Sequence, residues 1–316
     1  MKIAFHYFSG CGNSAWVVMQ AQKMLQNFGH EIVLIQNMEL AMPTQMPNSD
    51  VDIFVCPTYF FGLPSNFIGY LKRLPMVAKR NAVFWSVNGG FSGASKFIAE
   101  NLLKDRGYEI IAKSIVKMPD TFLFLKLSQM TQEERKETLE KAQIQIKENL
   151  NILSELPAYK KEGVIKNIFS LIVFFLYHFV FRHVIGLSFV SSSKCVHCGW
   201  CAQNCPAKSI RFDKQTPHFN TGCIGCFRCV NACPVGAIDY SKYALITSAV
   251  CGVLGMMLIG SILSFFGIFA IIAGLLLGIF SGALIFQKCI FLFPKDKNLC
   301  FNNKKRVWFS DNEKDL

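Results

Sequence analysis

One cysteine spacing occurs twice in this chain. Cys195-x-x-Cys198-x-x-Cys201-x-x-x-Cys205-Pro206 is followed by Cys223-x-x-Cys226-x-x-Cys229-x-x-x-Cys233-Pro234. Thirteen Cys in 316 residues is far above background. The chain opens MKIAFHYFSG, a charged residue and then a strand pattern, without the apolar core and cleavage site of a secretory signal. The thiols are therefore expected in a reducing compartment, as thiolates and metal ligands rather than as a disulfide framework. Four soft thiolates suit zinc or an iron-sulfur cluster, and ligand type alone does not choose. Spacing does. Zinc knuckles use two well-separated pairs, whereas three Cys at every third position wrap a loop around one corner of a cubane and a fourth, before Pro, reaches to a second cluster.

Over about residues 190 to 240 the pattern resembles the bacterial two-cluster ferredoxins. The resemblance implies that Cys195, Cys198, Cys201 and Cys233 ligate one [4Fe-4S] cluster and Cys223, Cys226, Cys229 and Cys205 the other. Ile210 and Ile238, each a few residues after its Cys-Pro turn, read as the apolar cover that keeps water from each cluster.

The first 157 residues alternate short apolar runs with longer stretches of helical period. Ile3 to Phe8, Glu31 to Ile35, Asp52 to Cys56, Asn81 to Val87 and Glu109 to Val116 read as strands. Ser14 to Phe28 places Val17, Ala21, Met24 and Phe28 on one helical face with Gly29 as its stop; Ala94 to Arg106 does the same with Phe97, Ile98 and Leu102 before Gly107. Thr131-Gln-Glu-Glu is a capping box that opens a helix through Leu139, Ile146, Leu150 and Leu153 to the break at Pro157. The expected fold is α/β, a doubly wound parallel sheet with helices on both faces.

Strand one runs directly into Ser9-Gly10-Cys11-Gly12-Asn13-Ser14, which opens a helix. Glycines permit the tight turn, backbone N–H groups and Ser hydroxyls converge, and the helix dipole favours an anion there. No Lys follows, so this is not the nucleoside-triphosphatase loop. Cys11 as a phosphatase nucleophile would need an Arg clamp, but the chain continues Ala15, Trp16, Val17 and Val18, which favours a small loop residue. The run resembles the phosphate-binding loop of flavodoxins, with Cys11 where Thr is usual. That resemblance implies bound flavin mononucleotide (FMN) and two further loops at its site: Pro57, Thr58, Tyr59 and Phe60 after strand three, and Asn88, Gly89 and Gly90 after strand four. Tyr59 is the expected aromatic wall and Asn88 to Gly90 the source of backbone donors, with plain packing the alternative for Tyr59 and the favoured role of Trp85.

A flavodoxin-like domain followed by a two-cluster ferredoxin domain is similar to the EFR-type flavodoxin-ferredoxin fusion family over residues 1 to 240, as are Met118-Pro119-Asp120 and the apolar approach from Asn167 to Val190. Beyond this lies a different solvent preference. Hydrophobic residues make up 52% and charged residues 17%, with mean hydropathy +0.31, which argues against disorder and against a purely soluble chain. Ala244 to Phe286 carries no charge and is long enough for two helices of about 20 residues, a transmembrane hairpin turning near Ser264 to Gly267. Gly274, Gly278 and Gly282 recur every four residues as a small face for close helix contact; a buried soluble hairpin is the alternative. Asn167 to Phe181, ended by Arg182 and His183, is short for a span and reads as an interfacial or domain-packing helix. The expected organisation is residues 1–157 FMN-binding, 158–190 linker and apolar helix, 191–242 ferredoxin-like, 243–287 hairpin and 288–316 tail. Lys242 before the hairpin and Lys288, Lys295, Lys297, Lys304, Lys305 and Arg306 after it put both flanks in the cytoplasm.

The formal charge of +12 falls to roughly +6 once two oxidised clusters and a flavin phosphate are counted. The remaining excess suits anionic lipid, and no base-stacking or helix-turn-helix pattern points to nucleic acid. The expected function is membrane-attached electron transfer between FMN and two [4Fe-4S] clusters, to or from a redox partner protein or quinone. Two alternatives stand beside it: a flavin-dependent reductase of a quinone or small acceptor, for which the loops offer Tyr59, Ser86 and Asn88 with His6 inside strand one, and a redox or iron sensor using Cys56, Cys251, Cys289 and Cys300.

Overall fold

The computed structural model of the protein describes residues 1–39, 45–121, 130–155, 164–213, 216–262 and 268–289. The expected turn at 264–267, Lys295, Lys297, Lys304, Lys305, Arg306, Cys300 and most of the 158–166 linker lie outside the described residues. The chain forms two units, one of Met1–Phe175 and one beginning at Leu176.

In the first unit β1 (Lys2–Tyr7), β2 (Glu31–Asn37), β3 (Val51–Pro57), β4 (Arg80–Asn88) and β5 (Tyr108–Lys117) form a parallel sheet in the order β2-β1-β3-β4-β5. This is the flavodoxin-like doubly wound order, whose crevice opens at the carboxyl ends of β1 and β3. All seven residues of β3 are buried, as a central strand covered on both faces requires. The crossovers carry α1 (Asn13–Asn27), α2 (Ser65–Arg73) and α3 (Ser95–Lys104), and α4 (Gln132–Glu155) follows β5. The capping box at Thr131 forms: Glu134 N–H donates to Thr131 Oγ1 at 3.1 Å, and Thr131 N–H to Glu134 Oε2 at 2.8 Å.

Some faces differ from the sequence pattern. The buried side of α1 passes through Val17, Ala21 and Leu25, and Phe28 is 51% exposed because Gly29, at φ +78°, turns the chain away. On α3 the buried positions are Ser95, Ala99, Glu100 and Leu103 rather than Phe97, Ile98 and Leu102. The inward Glu100 is held by Lys113 at 2.6 Å and Lys104 at 2.5 Å, so a paired charge occupies a position where periodicity anticipates an apolar residue. Helix α2 has no counterpart in the sequence reading; Phe67, Tyr70 and Leu71 turn its short apolar stripe inward.

Toward the amino-terminal ends of β3, β4 and β5 lies a buried polar network. Asp52 accepts from Tyr108 Oη at 2.8 Å and from Ser49 Oγ, with Arg80 Nη1 at 3.5 Å and His6 Nε2 at 3.7 Å. His6 Nδ1 meets Tyr70 Oη at 2.6 Å. Burial alone would raise the Asp52 carboxyl, but the hydrogen bond and charge of His6, with the Ser49 and Tyr108 hydroxyls, outweigh it and hold it below the ordinary range.

Helix α5 (Val164–Leu176) packs Phe174 against the backbone of Gly62, where a Cβ would come within 2.0 Å of the ring. In the second unit the helical path continues through a π-helical turn (Tyr177–Phe181) into α6 (Arg182–Ser188). The expected end at Arg182 and His183 is thus overtaken. Arg182 Nε donates to His178 O, and His183 Nδ1 pairs with Thr221 O, so their polar atoms are satisfied without a helix terminus. Antiparallel β6 (Phe189–Ser191) and β9 (Ile238–Tyr240), the hairpin β7 (Ile210–Asp213) and β8 (Thr216–Phe219), and the single turns α7 (Trp200–Gln203) and α8 (Arg228–Asn231) form the cysteine-bearing body.

Helices α9 (Lys242–Ile262) and α10 (Ile268–Cys289) pack closely. A Cβ on Gly274 would lie 2.3 Å from Gly255 O, on Gly278 2.0 Å from Cys251 O, and on Gly282 2.6 Å from Thr247 O. The four-residue glycine repeat is therefore the contact face. Leu254, Met257, Leu258, Phe269 and Leu277 point outward and exposed. Among the described residues three helices are long and apolar enough to cross a membrane: Asn167–Ser188, Lys242–Ile259 and Ile268–Cys289. At 22 residues the first is no longer short for a span.

Candidate functional site

The first candidate site lies at the carboxyl edge of the parallel sheet. β1 hands over to Phe8, Ser9, Gly10 and Cys11, all buried, and Gly12 at φ +93° turns the backbone into α1. Asn13 Nδ2 donates to Pro119 O at 2.7 Å, tying this loop to the segment after β5. Ser14, 1% exposed, has a hydroxyl with no hydrogen-bond partner, as has Asn13 Oδ1. The buried, unpartnered Ser14 hydroxyl at a helix N-terminus is a donor that an anionic group completes, so Ser14 and the start of α1 fit a phosphate, whereas Asn13 Oδ1 is an acceptor and its Nδ2 is already given to Pro119 O.

After β3, Tyr59 and Gly62 close a turn by reciprocal backbone bonds of 2.9 and 3.1 Å, with Phe60 and Phe61 at positive φ. Thr58 Oγ1 reaches Ser86 Oγ at 2.6 Å and Ser95 Oγ at 2.9 Å, so its hydroxyl clamps β4 and α3 to this loop. Tyr59 is half-buried, edge-on to Phe8 at 6.4 Å between centroids. After β4, Asn88 Nδ2 donates to Ser86 Oγ at 2.9 Å and Asn88 Oδ1 accepts from Gly90 N–H at 2.7 Å. Of the donors expected from Asn88 to Gly90, that of Gly90 is thus turned onto the Asn88 side chain. The structure brings the 9–14, 57–60 and 88–90 loops to one sheet edge, while Trp85 and Cys56 are fully buried within strands and His6 faces its polar network. Burial pushes the Cys56 thiol well above its ordinary range, which makes it a packing residue rather than a reactive thiol.

The second candidate site is the doubled cysteine run. Equal spacing gives equal backbone: His197 and Gly225, Gly199 and Phe227, and Lys208 and Gly236, matched positions of the two copies, all take positive φ. Non-glycine residues adopt such φ at a cost, sustained where surrounding structure demands the turn. Ser209 N–H and Ala237 N–H, again matched, donate to Cys205 Sγ at 3.4 Å and Cys233 Sγ at 3.2 Å, and Gly225 N–H donates to Cys223 Sγ at 3.3 Å.

The eight thiols sort into two cavities. One is lined by Cys195, Cys198, Cys201 and Cys233 with Ile238, Trp200 and Phe212. The other is lined by Cys205, Cys223, Cys226 and Cys229 with Ile210, Phe189 and Phe227. In each cavity the fourth thiol comes from the other copy of the repeat. Among the described residues no three His, Cys, Asp or Glu side chains converge as a single-ion site; the thiols are spread around cavity walls. Burial raises the Cys201 thiol to about 11 and Cys223 to about 12, and Cys229 well above its ordinary range. Thiolates held there require a bound cation to offset desolvation.

Sequence reasoning missed the segment from Tyr177 to Ser188 as part of this body. Tyr177 Oη donates to Ile224 O at 2.9 Å, and Gly186 lies against the Cys223 turn. The only advance sign was Gly186 itself, a small residue within an apolar run.

Residues 188–240 match the 4Fe-4S dicluster domain. Among solved structures, oxidised flavodoxin 1 from Bacillus cereus is 15% identical over 47% of this chain and 98% of its own, with a TM-score of 0.33. Oxidised flavodoxin 2 from Bacillus cereus is 22% identical over 47% and 99%, TM-score 0.33. Two-electron reduced Megasphaera elsdenii flavodoxin is 18% identical over 45% and 98%, TM-score 0.32. No curated protein matches the chain.

Proposed function

We propose that this protein is a membrane-attached electron-transfer protein carrying FMN in its first unit and two [4Fe-4S] clusters in its second. What supports this above all is the sorting of eight thiols into two four-thiol cavity linings that cross the sequence repeat, an arrangement suited to paired cubanes. Cys195, Cys198, Cys201 and Cys233 would hold one cluster and Cys205, Cys223, Cys226 and Cys229 the other. When bound, the flavin exchanges electrons singly or in pairs and the clusters exchange them singly.

The chain's own residues supply the surroundings. Ser14 Oγ, the 9–14 backbone and the start of α1 would bind the flavin phosphate, Tyr59 would flank the ring, and Thr58 fixes the loop that carries Tyr59. Ile210 and Ile238 exclude water from the cluster cavities. The outward apolar faces of α9 and α10 favour a membrane hairpin with the flavin and cluster units on the cytoplasmic side. Helix 167–188 buries Asn167, Ser170, Phe174, Tyr177, Val184 and Leu187 along one stripe and exposes Phe169, Ile172 and Phe179, as a helix lying in the lipid interface does. Its electrons would pass to or from a redox protein or a quinone, and the order of domains is similar to that of EFR-type fusions.

Protein purified anaerobically from membranes should hold about eight irons and one flavin per chain and give paramagnetic resonance after reduction by dithionite. Zinc in place of iron, or protein released from membranes by a salt wash alone, would overturn the reading.

A further inference from the structure

The turn after β3 is tied to the apolar helix α5. Phe60 and Phe61, at φ 44° and 68° between Tyr59 and Gly62, take a backbone that aromatic residues sustain only where their surroundings demand it. The turn is held from two sides. Ala94 N–H donates to Phe61 O at 2.7 Å, and a Cβ on Gly93 would fall 2.6 Å from Phe61 Cα. From the other side the Phe174 ring of α5 fills the place where a Gly62 side chain would begin. The rings then form an edge-on row: the Phe61 centroid lies 5.2 Å from that of Phe91, after β4, and 6.3 Å from that of Phe169, on α5. Phe91 and Phe169 are 61% and 69% exposed, so one apolar patch joins the sheet-edge loops to the outer face of the helix.

Helix α5 is inside out for a helix in water. Its buried side carries Asn167, Ser170 and Phe174 and its outer side Ile168, Phe169, Ile172 and Phe175, whereas a surface helix of a soluble protein turns its polar residues outward. From Asn167 to Phe181 there is no Asp, Glu, Lys or Arg. A docking patch for a soluble redox protein carries a polar rim and complementary charge. The outer face of α5 has no charge to offer, and the medium that suits it is the boundary between lipid headgroups and acyl chains.

Resting on the membrane attachment proposed above, we infer that Phe91 and the outer face of α5 form one lipid-docking surface, which sets the 57–62 and 88–91 loops of the flavin-binding unit against the bilayer rather than in bulk water. Phe61 is the link, since its ring touches both exposed ends of the row.

The test adds one indole at a time to the full-length protein in vesicles of phosphatidylcholine and phosphatidylglycerol, with or without bromine on the upper acyl chain. Phe91→Trp probes the loop and Phe169→Trp the helix. Met76→Trp is the contrast, 66% exposed but between α2 and β4, at the opposite end of the strands. The emission of the four native Trp is subtracted using the parent protein. An indole seated about 5–10 Å into the boundary should lose about half or more of its added emission to bromine. Phe91→Trp and Phe169→Trp should both be quenched, and Met76→Trp should not. Quenching at 169 without quenching at 91, or equal quenching at 91 and 76, overturns the inference and leaves the attachment of the helix standing. Absence of quenching at 169 would instead sink the interfacial placement of the helix, and this surface with it.

Discussion

Ser14→Ala separates a binding hydroxyl from a structural one, because the two roles predict opposite signs. Ser14 is 1% exposed and its Oγ has no hydrogen-bond partner. In flavin-free protein no protein group pairs with the hydroxyl, so alanine removes no intramolecular hydrogen bond. Alanine is also the better helix former at the second position of α1. The flavin-free variant should thus melt no lower than the parent. With FMN the sign reverses. A hydrogen bond to a charged group is worth about 1.5–3 kcal/mol, so the dissociation constant should rise by about 10- to 150-fold. Quenching of FMN fluorescence on titration into flavin-depleted full-length protein measures the constant, and circular dichroism melting of the same material measures stability. Thr58→Ala is the contrast, since its hydroxyl meets Ser86 at 2.6 Å and Ser95 at 2.9 Å. It should lower the flavin-free melting temperature, at about 1 kcal/mol per bond. A Ser14→Ala protein that binds FMN within about twofold of the parent and melts lower would refute the phosphate role.

Asp52 gives a pH dependence of definite sign. Its folded carboxyl lies below the ordinary range, so on acidification the unfolded chain takes the proton first. The contribution is complete at neutral pH and is lost as pH falls below about 4 and through the folded value; urea unfolding at stepped pH should show that acid limb. Asp52→Asn should flatten the limb and cost about 3–5 kcal/mol near neutrality, as removal of one partner from a buried charged set does. In the apolar hairpin, Gly278→Leu drives a side chain into Cys251 O, 2.0 Å from the Cβ position. It should destabilise the detergent-solubilised protein by about 1–3 kcal/mol or more, whereas Gly69→Ala in α2, with nothing within 4 Å, should stabilise it by about 0.5–1 kcal/mol; thermal melting reads both. Because burial holds the Cys201 and Cys223 thiols up to about 11 and about 12, they are protonated in iron-free protein at neutral pH. Anaerobic cluster assembly should therefore release protons in weakly buffered indicator dye, and chelation of the iron should take them up again.

What the sequence disclosed and what it withheld divide by the range of the interaction. Strand positions, the Thr131 capping box and the glycine contacts of α9 and α10 rest on residues within a few positions of one another, and local pattern reports them. The loops at the sheet edge were legible for the same reason: each is short and follows a strand. The partner of each side chain was not. Glu100 faces inward on α3 because Lys113 arrives from β5 to meet it, and the Gly90 N–H is turned onto the Asn88 side chain. The largest omission has the same origin. Arg182 and His183 looked like a helix end because charge in an apolar run ordinarily marks one. The carbonyls that accept from them, at His178 and Thr221, satisfy both without breaking the helix. The Thr221 carbonyl is 38 residues away in sequence, and no periodicity within the run encodes it. A polar residue in such a helix is therefore a terminus only when nothing folds back to receive its proton. Here a loop beside Cys223 does, and this turns an apparent stop signal into the point where the apolar helix becomes part of the cysteine-bearing body.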